Sequence, residues 1–282
     1  GRIFIGVFDG ATEYWNEAAR LAPYMSKAER ESALKKADDL YGKGFFESRV
    51  EAVKVTADIA PLVSDKKQLP SFVESLAKMK YIMPDSRWEE LSRALGQSTN
   101  VFEETPQQVT DSMMYAYSKV GDRKQDLANT FWESALYFKN ANLTSAQMSN
   151  FLVQSVQKGA FNYDKPADWF KEAFGVKALN EGDMAKYFEH RGSSKDVAKK
   201  QAKEFVADIN SGDRQKSQGA IMALVADLAS QERSERKASL VMLGSAVGAD
   251  LASSILETYG VALEKPPDEI AGTTDRMIKA QK

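Results

Sequence analysis

Cysteine is absent from this sequence, and histidine occurs once, at His190. Without cysteine the chain can form neither a disulfide framework nor a zinc site built on cysteine ligands. The absence fits synthesis in a reducing cytoplasm. A single histidine also excludes a zinc site with several histidines, and any serine or cysteine triad would depend on His190. These absences remove most of the common catalytic and metal-binding constellations.

Long apolar runs are absent as well. The longest one near the start, from Ile3 to Phe8, is six residues long, whereas a membrane-spanning helix needs about 20. It also lacks the basic flank of a signal peptide, so we interpret it as a short buried strand or a first core-facing segment. No membrane span is predicted. Because the chain begins with Gly1 rather than Met, we expect a fragment or a processed product.

The charges nearly balance, with 38 basic and 40 acidic residues and a net charge of -2. Nothing in this balance demands nucleic acid or an anionic membrane as a partner. Apolar residues make up 43% of the chain and aromatic residues 10%, which is typical of a globular protein rather than a disordered one. With 282 residues, the chain can bury the core of one large domain or of two to three small bundles.

Helix starts recur along the sequence in the form of capping boxes. In this motif a Ser or Thr and a Glu or Gln three residues later satisfy two free backbone N–H groups reciprocally. The four pairs are Ser26 with Glu29, Ser71 with Glu74, Thr105 with Gln108, and Thr144 with Gln147. Pro106 supports the third pair, because a proline in the first helical position loses no hydrogen bond.

Behind these starts, apolar residues recur every three to four positions, as they do on one face of a helix. Examples are Phe46, Val50, Val53 and Ala57, and later Ala198, Ala202, Phe205 and Ile209. The strict alternation that half-buried strands require is nearly absent. The sequence therefore predicts an all-α fold, a multi-helix array of roughly ten to twelve short amphipathic helices that form a helical-hairpin bundle.

Polar stretches with turn-forming residues suggest how this array is divided. We predict an N-terminal helical bundle over residues 1–181, a joint at 182–194 and a C-terminal helical bundle over 195–260. The remaining residues, 261–282, are predicted to form a polar tail, a linker or a solvated helix. A second joint is predicted at 62–69, where a polar stretch lies between two prolines.

No motif predicts a catalytic, cofactor or metal site. The glycines form no phosphate-cradling loop, and no calcium-binding loop occurs. Glu133 precedes a serine as in lytic transglycosylases, but the second segment of that signature is missing, so we expect no catalytic role and no enzymatic activity. His190 lies in a polar stretch and is interpreted as an exposed loop residue. The remaining acidic pairs, expected to be solvated, are Asp38–Asp39, Glu89–Glu90 and Glu103–Glu104.

One basic stripe is a candidate interaction face. Lys195, Lys199 and Lys203 are four residues apart and therefore share one face of a helix. Such a stripe can contact DNA phosphates or an acidic protein wall. Asp196 and Glu204 dilute its charge, and no aromatic residues interleave with it as stacking platforms. We interpret it as a solvated face, with both kinds of contact left open.

Gly244 and Gly248 have the spacing that lets two helices approach closely. The apolar flanks are too short to span a membrane. We therefore expect close packing of Gly244 and Gly248 inside a soluble bundle.

The central part of the chain carries a family resemblance. Its segments are Met114–Gly121 (MYAYSKVG), Phe131–Phe138 (FWESALYF), Asn142–Met148 (NLTSAQM), Gln157–Lys165 (QKGAFNYDK) and Ala167–Val176 (ADWFKEAFGV). In this order they resemble the helical region of bacteriophage and prophage tail tape-measure proteins. Looser similarity extends the resemblance over residues 35–260.

The resemblance implies a structural protein of the virion. Tape-measure proteins are made in the bacterial host cytoplasm and lie in the tail interior, where their length sets the tail length. They take part in tail assembly and in DNA ejection. The implied partners are tail tube and tail assembly proteins, with self-association and proximity to DNA in the tail lumen, and no small-molecule substrate or cofactor. The alternatives are a non-catalytic helical protein-binding scaffold and a peptidoglycan-degrading tail domain.

Overall fold

The computed structural model describes residues 10–123, 125–244, 249, 253 and 265–281. These residues contain fourteen α-helices and no strand. The bounds are α1 Ala11–Ala19, α2 Lys27–Gly42, α3 Arg49–Ile59, α4 Leu69–Ile82, α5 Trp88–Phe102, α6 Pro106–Val120, α7 Leu127–Asn140, α8 Ser145–Gln157, α9 Asp164–Phe170, α10 Glu181–His190, α11 Lys195–Ile209, α12 Arg214–Ser230, α13 Arg233–Leu243 and α14 Thr273–Gln281.

The predicted all-α fold is confirmed, with more helices than expected. The apolar run before Gly10 and the predicted packing of Gly248 lie outside the described residues.

Three of the four predicted capping boxes begin helices. At the start of α2, Glu29 N donates to Ser26 Oγ at 3.2 Å and Ser26 N donates to Glu29 Oε1 at 2.9 Å. The same reciprocal pattern links Thr105 with Gln108 and Thr144 with Gln147, at the starts of α6 and α8. Each motif joins residues only three positions apart, so it can form independently of the tertiary packing.

The fourth predicted box, at Ser71, is wrong because α4 already begins at Leu69. Pro70 lies in the first turn of this helix, where the missing N–H costs nothing. It therefore begins a helix rather than ending one. The predicted joint at 62–69 contains the 3-10 turn Lys66–Gln68 and is preceded by another that ends at Leu62. Lys66 Nζ donates to the carbonyl oxygens of Ala60 and Val63.

The helices pack in two patterns. Toward the ends of the described chain, α2 packs against α3 and α10 against α11, as expected for helical hairpins. In the centre, α5 packs mainly against α7 and α6 against α8. Each central helix thus has its main partner two positions along the chain, which interleaves two pairs of helices.

A single connected core of buried residues extends from Tyr14 to Ile278. Stacked aromatic rings lie within it, with the ring centroids of Phe138 and Phe170 4.0 Å apart. Met184 of α10 belongs to this core, so the segment 182–194 contains most of a packed helix as well as a turn. The division of the chain into two bundles at this segment stays a prediction.

The segment after Pro267 forms a 3-10 turn and then α14, which packs against α4 and α6. Ile270 and Ile278 are buried there. The sequence suggested a polar tail, a linker or a solvated helix because a helix-breaking proline pair is followed by polar residues with little core-forming pattern. In the structure, backbone N–H groups and two isoleucines of this segment contact the bundle surface. None of the helices in the described ranges has the length and apolar character that crossing a bilayer requires.

Gly244 follows α13 and lies against the ring of Trp169. A Cβ atom at position 244 would lie 2.5 Å from Trp169 Nε1, which is too close for any real contact. The close packing predicted for this glycine is therefore present, with an indole ring as the neighbour.

We expect Gly244→Ala to lower the free energy of unfolding by about 1–3 kcal/mol, because the methyl group overpacks against the buried Trp169 ring. Gly219→Ala is the matched control. Gly219 lies inside α12, and a Cβ atom there meets nothing within 4 Å, so alanine should stabilise the helix by about 0.5–1 kcal/mol. Urea denaturation followed by circular dichroism measures both effects. Equal changes in the two variants would contradict the assigned contact.

Candidate functional site

The candidate lysine face lies on α11. Ser194 caps this helix by accepting a hydrogen bond from Val197 N at 3.4 Å. Ala198 and Ala202 are fully buried on its inner side. The three lysines, Lys195, Lys199 and Lys203, are exposed, and within the described part of the chain none of them forms an ion pair. The face is thus available to solvent or to a partner, and its role stays a prediction.

The residues considered for catalysis do not converge. Glu133 is exposed on α7, and His190 is exposed at the last position of α10. His190 therefore ends a helix rather than lying in a loop. Across the ranges that the structure describes, no three His, Cys, Asp or Glu side chains are grouped so as to hold a metal ion.

A cavity of about 520 Å³ lies between the start of α8 and the helix α12. Its walls are formed by small, apolar and amide side chains together with Arg214. Among the described residues that line it, none is Asp, Glu or His.

The adjacent acidic residues are only partly solvated. Glu103 has 82% of its side chain exposed, but its neighbour Glu104 is half-buried and accepts hydrogen bonds from Ser145 N and Ser145 Oγ. Burial, opposed by these hydrogen bonds, raises the pKa of Glu104 above its usual value. Ser145 Oγ lies 2.7 Å from Ser112 Oγ in a buried contact. The expectation of solvated acids is therefore wrong for Glu104, because its partner is 41 positions away in the sequence.

A second carboxylate joins distant helix ends in the same way. Asp126 accepts hydrogen bonds from the backbone N–H groups of Tyr163 and Asp164, each at 2.8 Å. Tyr163 is fully buried, and its hydroxyl donates to the carbonyl oxygen of Ala116 at 3.2 Å. These bonds attach the start of α9 to the last turn of α6 and to the start of α7. The sequence contained no signal for them, since the paired positions share no motif.

Asp122 lies in the same connection, between α6 and α7. It accepts a hydrogen bond from Leu127 N at 3.2 Å. Burial is the main cause that raises the pKa of Asp122 from 3.8 to about 6, and the nearby carboxylate of Asp126 contributes to this rise. Asp122 therefore keeps its proton to a higher pH in the folded protein than in the unfolded chain.

A third polar cluster joins α10 to α12. Asp227 accepts hydrogen bonds from the Tyr187 hydroxyl at 2.5 Å and from Arg191 Nε at 3.0 Å. Burial acts to raise the pKa of Asp227, but the bonds from Arg191 and Tyr187 outweigh it and hold the pKa below its usual value. These polar clusters fix helices relative to one another, and Glu104, Ser112 and Ser145 of the first cluster also line a cavity of about 350 Å³.

Comparison with known protein families identifies the family of this chain. Residues 34–244, about three quarters of the chain, match the family of phage-related minor tail proteins. The chain belongs to this family. No curated protein and no solved structure matches it. As a minor tail protein it is a structural component of the phage tail in the virion, where it interacts with other tail proteins.

The polar clusters lie inside the part of the chain that matches the family. Glu104, Asp126 and Asp227 all lie within the matched residues of this minor tail protein, as does the lysine face. The first helix and the last, α1 and α14, lie outside them.

Asp122→Asn tests the buried carboxylate of the minor tail protein. The folded protein holds this proton more tightly than the unfolded chain, so stability should fall as the pH rises from about 4 to 6. Asparagine keeps an acceptor for Leu127 N without the charge. At pH 7 we expect it to stabilise by about 1 kcal/mol, after allowance for solvent screening.

Urea unfolding at pH 4.5 and pH 7 measures this effect. Asp85→Asn, at an exposed position in the turn after α4, is the control that should change neither value. A pH dependence that is the same in the Asp122→Asn variant as in the original protein would refute the assignment.

Proposed function

We propose that this minor tail protein chain is a segment of a tape-measure protein, which sets tail length inside the tail tube and takes part in tail assembly and DNA ejection. The observation that carries the proposal is the family match over 34–244, which contains the segments between Tyr115 and Lys177 that resemble tape-measure proteins. The proposal includes self-association and contact with tail tube proteins. It assigns the chain no catalytic role.

The physical basis is the fixed rise of a helix. A helix advances about 1.5 Å per residue, so the matched region would extend roughly 320 Å as one continuous helix. In this structure the same residues fold back on themselves through short turns. The length that the segment contributes therefore depends on how far its helices are drawn out inside the tube.

An in-frame duplication of codons 34–244 in the phage gene tests whether the segment sets tail length. We expect longer tails, with an increase of up to roughly 320 Å when the added residues form a continuous helix. Electron microscopy of purified tails measures the change. A synonymous recoding of the same codons is the control. Tails assembled in normal numbers at unchanged length would contradict a role in setting tail length and favour a scaffold role.

The absence of catalysis is tested with peptidoglycan. Glu133 is exposed and belongs to no cluster of acids, so we expect no clearing when the purified chain is run in a peptidoglycan zymogram. Lysozyme is the positive control. Clearing that disappears in a Glu133→Gln variant would establish the envelope-degrading alternative instead.

The lysine face enters the proposal as a contact to DNA phosphates in the tail lumen. If the three lysines neutralise three phosphates, the logarithm of the binding constant for double-stranded DNA should fall linearly with the logarithm of the salt concentration. The expected slope is about -2.7. A variant with Lys195, Lys199 and Lys203 all changed to Gln should lose this slope and keep its helix content. Identical DNA affinity and salt dependence in both proteins would mean that the face is merely solvated.

A further inference from the structure

The C-terminal segment 265–281 is attached to the bundle chiefly through one buried carboxylate. Asp111 of α6 is 5% exposed. It accepts hydrogen bonds from Gly272 N at 2.9 Å and from Thr274 N at 3.0 Å. The backbone at Gly272 has a positive φ of 82°, which a glycine adopts without strain. Asp111 thus binds N–H groups at the start of α14 that nothing within that helix can accept.

The other polar attachments of this segment are exposed to solvent. Lys78 of α4 pairs with Asp275 at 2.8 Å, and Lys119 of α6 pairs with Glu269 at 3.2 Å. The carboxylate side chains of these pairs are 59% and 57% exposed. Water screens such pairs strongly, so each adds little to the attachment.

The apolar part of the attachment is also small. The segment buries Ile270 and Ile278, and Met277 packs against the core while partly buried. By contrast, α6 alone contributes Val109, Met113 and Met114 to the core with no exposed surface. Since apolar burial is the main source of stability, α14 should be held much less firmly than the helices beneath it.

The contact between α14 and the bundle contains unsatisfied polar groups. The hydroxyls of Thr110 and Thr274 are buried there, and neither has a hydrogen-bond partner. Both line a cavity of about 400 Å³, together with Ser71 and Ser75 of α4. When α14 separates from the bundle, water can form hydrogen bonds with these hydroxyls. This gain lowers the free-energy cost of the separation.

We propose that residues 265–281 form a releasable clasp, which opens while the helices beneath it stay folded. The clasp lies outside the family match, which ends at Gly244, whereas α4 and α6 lie inside it. Opening uncovers a polar strip with Thr110 and Asp111 at its centre.

Amide hydrogen exchange on the full chain tests the clasp. Because α14 opens alone, its amides should exchange at least about 100-fold faster than those of α8. Asp111→Asn removes the charge but keeps an acceptor. It should accelerate exchange in α14 about tenfold further and leave α8 unchanged.

Asp126→Asn is the matched control, since Asp126 also accepts two backbone N–H groups at a helix start. It should not change exchange in α14. Equal exchange rates of α14 and α8 in the original protein would overturn the proposal, because α14 would then open only by global unfolding. Acceleration of both helices together by Asp111→Asn would overturn it as well.

Thiol labelling gives an independent measurement, because the chain contains no cysteine of its own. Ile278→Cys places a thiol under the clasp, and Val153→Cys places one in the core of α8. Under native conditions the first should react with a thiol reagent at least about tenfold faster than the second. Equal rates would again mean that the segment does not open by itself.

Discussion

The first turn of a helix carries backbone N–H groups that no residue of the same helix can accept. In a fold made of many short helices this constraint recurs at every start, and burial makes it costly to leave unmet. Capping boxes meet it locally at α2, α6 and α8. Single local side chains meet it at α3, α10, α11 and α12. Carboxylates from other helices or connections meet it at α9 and α14, and one adds to the capping box at α8. Glu104 bonds the start of α8, Asp126 that of α9 and Asp111 that of α14. The same contacts that satisfy the backbone thus also order the helices.

This arrangement gives the buried acids of the described residues a structural role. A carboxylate that accepts two backbone N–H groups is already committed, as Asp126 and Asp111 are. The raised pKa of Asp122 arises chiefly from burial in a connection between helices. Against the effect of burial, the lowered pKa of Asp227 arises from its hydrogen bonds with Arg191 and Tyr187, so both shifts have their causes in contacts that join helices.

A helix that is attached through a polar contact and little apolar surface can separate while the rest of the bundle stays packed. The C-terminal segment is the clearest instance, because two isoleucines and one carboxylate supply most of its attachment. Within the family match the helices share a larger apolar core, and their separation would have to expose far more apolar surface.

The sequence by itself determined the helical class and the starts of α2, α6 and α8, because periodicity and capping act over a few neighbouring residues. It also indicated the family through the segments near Phe131 and Ala167. It misplaced the start of α4, where Pro70 favoured a start two residues earlier than Ser71. Only the tertiary structure decided that Glu104 meets Ser145 and that residues 268–281 return to Asp111. Those partners lie 41 to 163 positions apart, and no local pattern encodes which distant helix end a carboxylate will face.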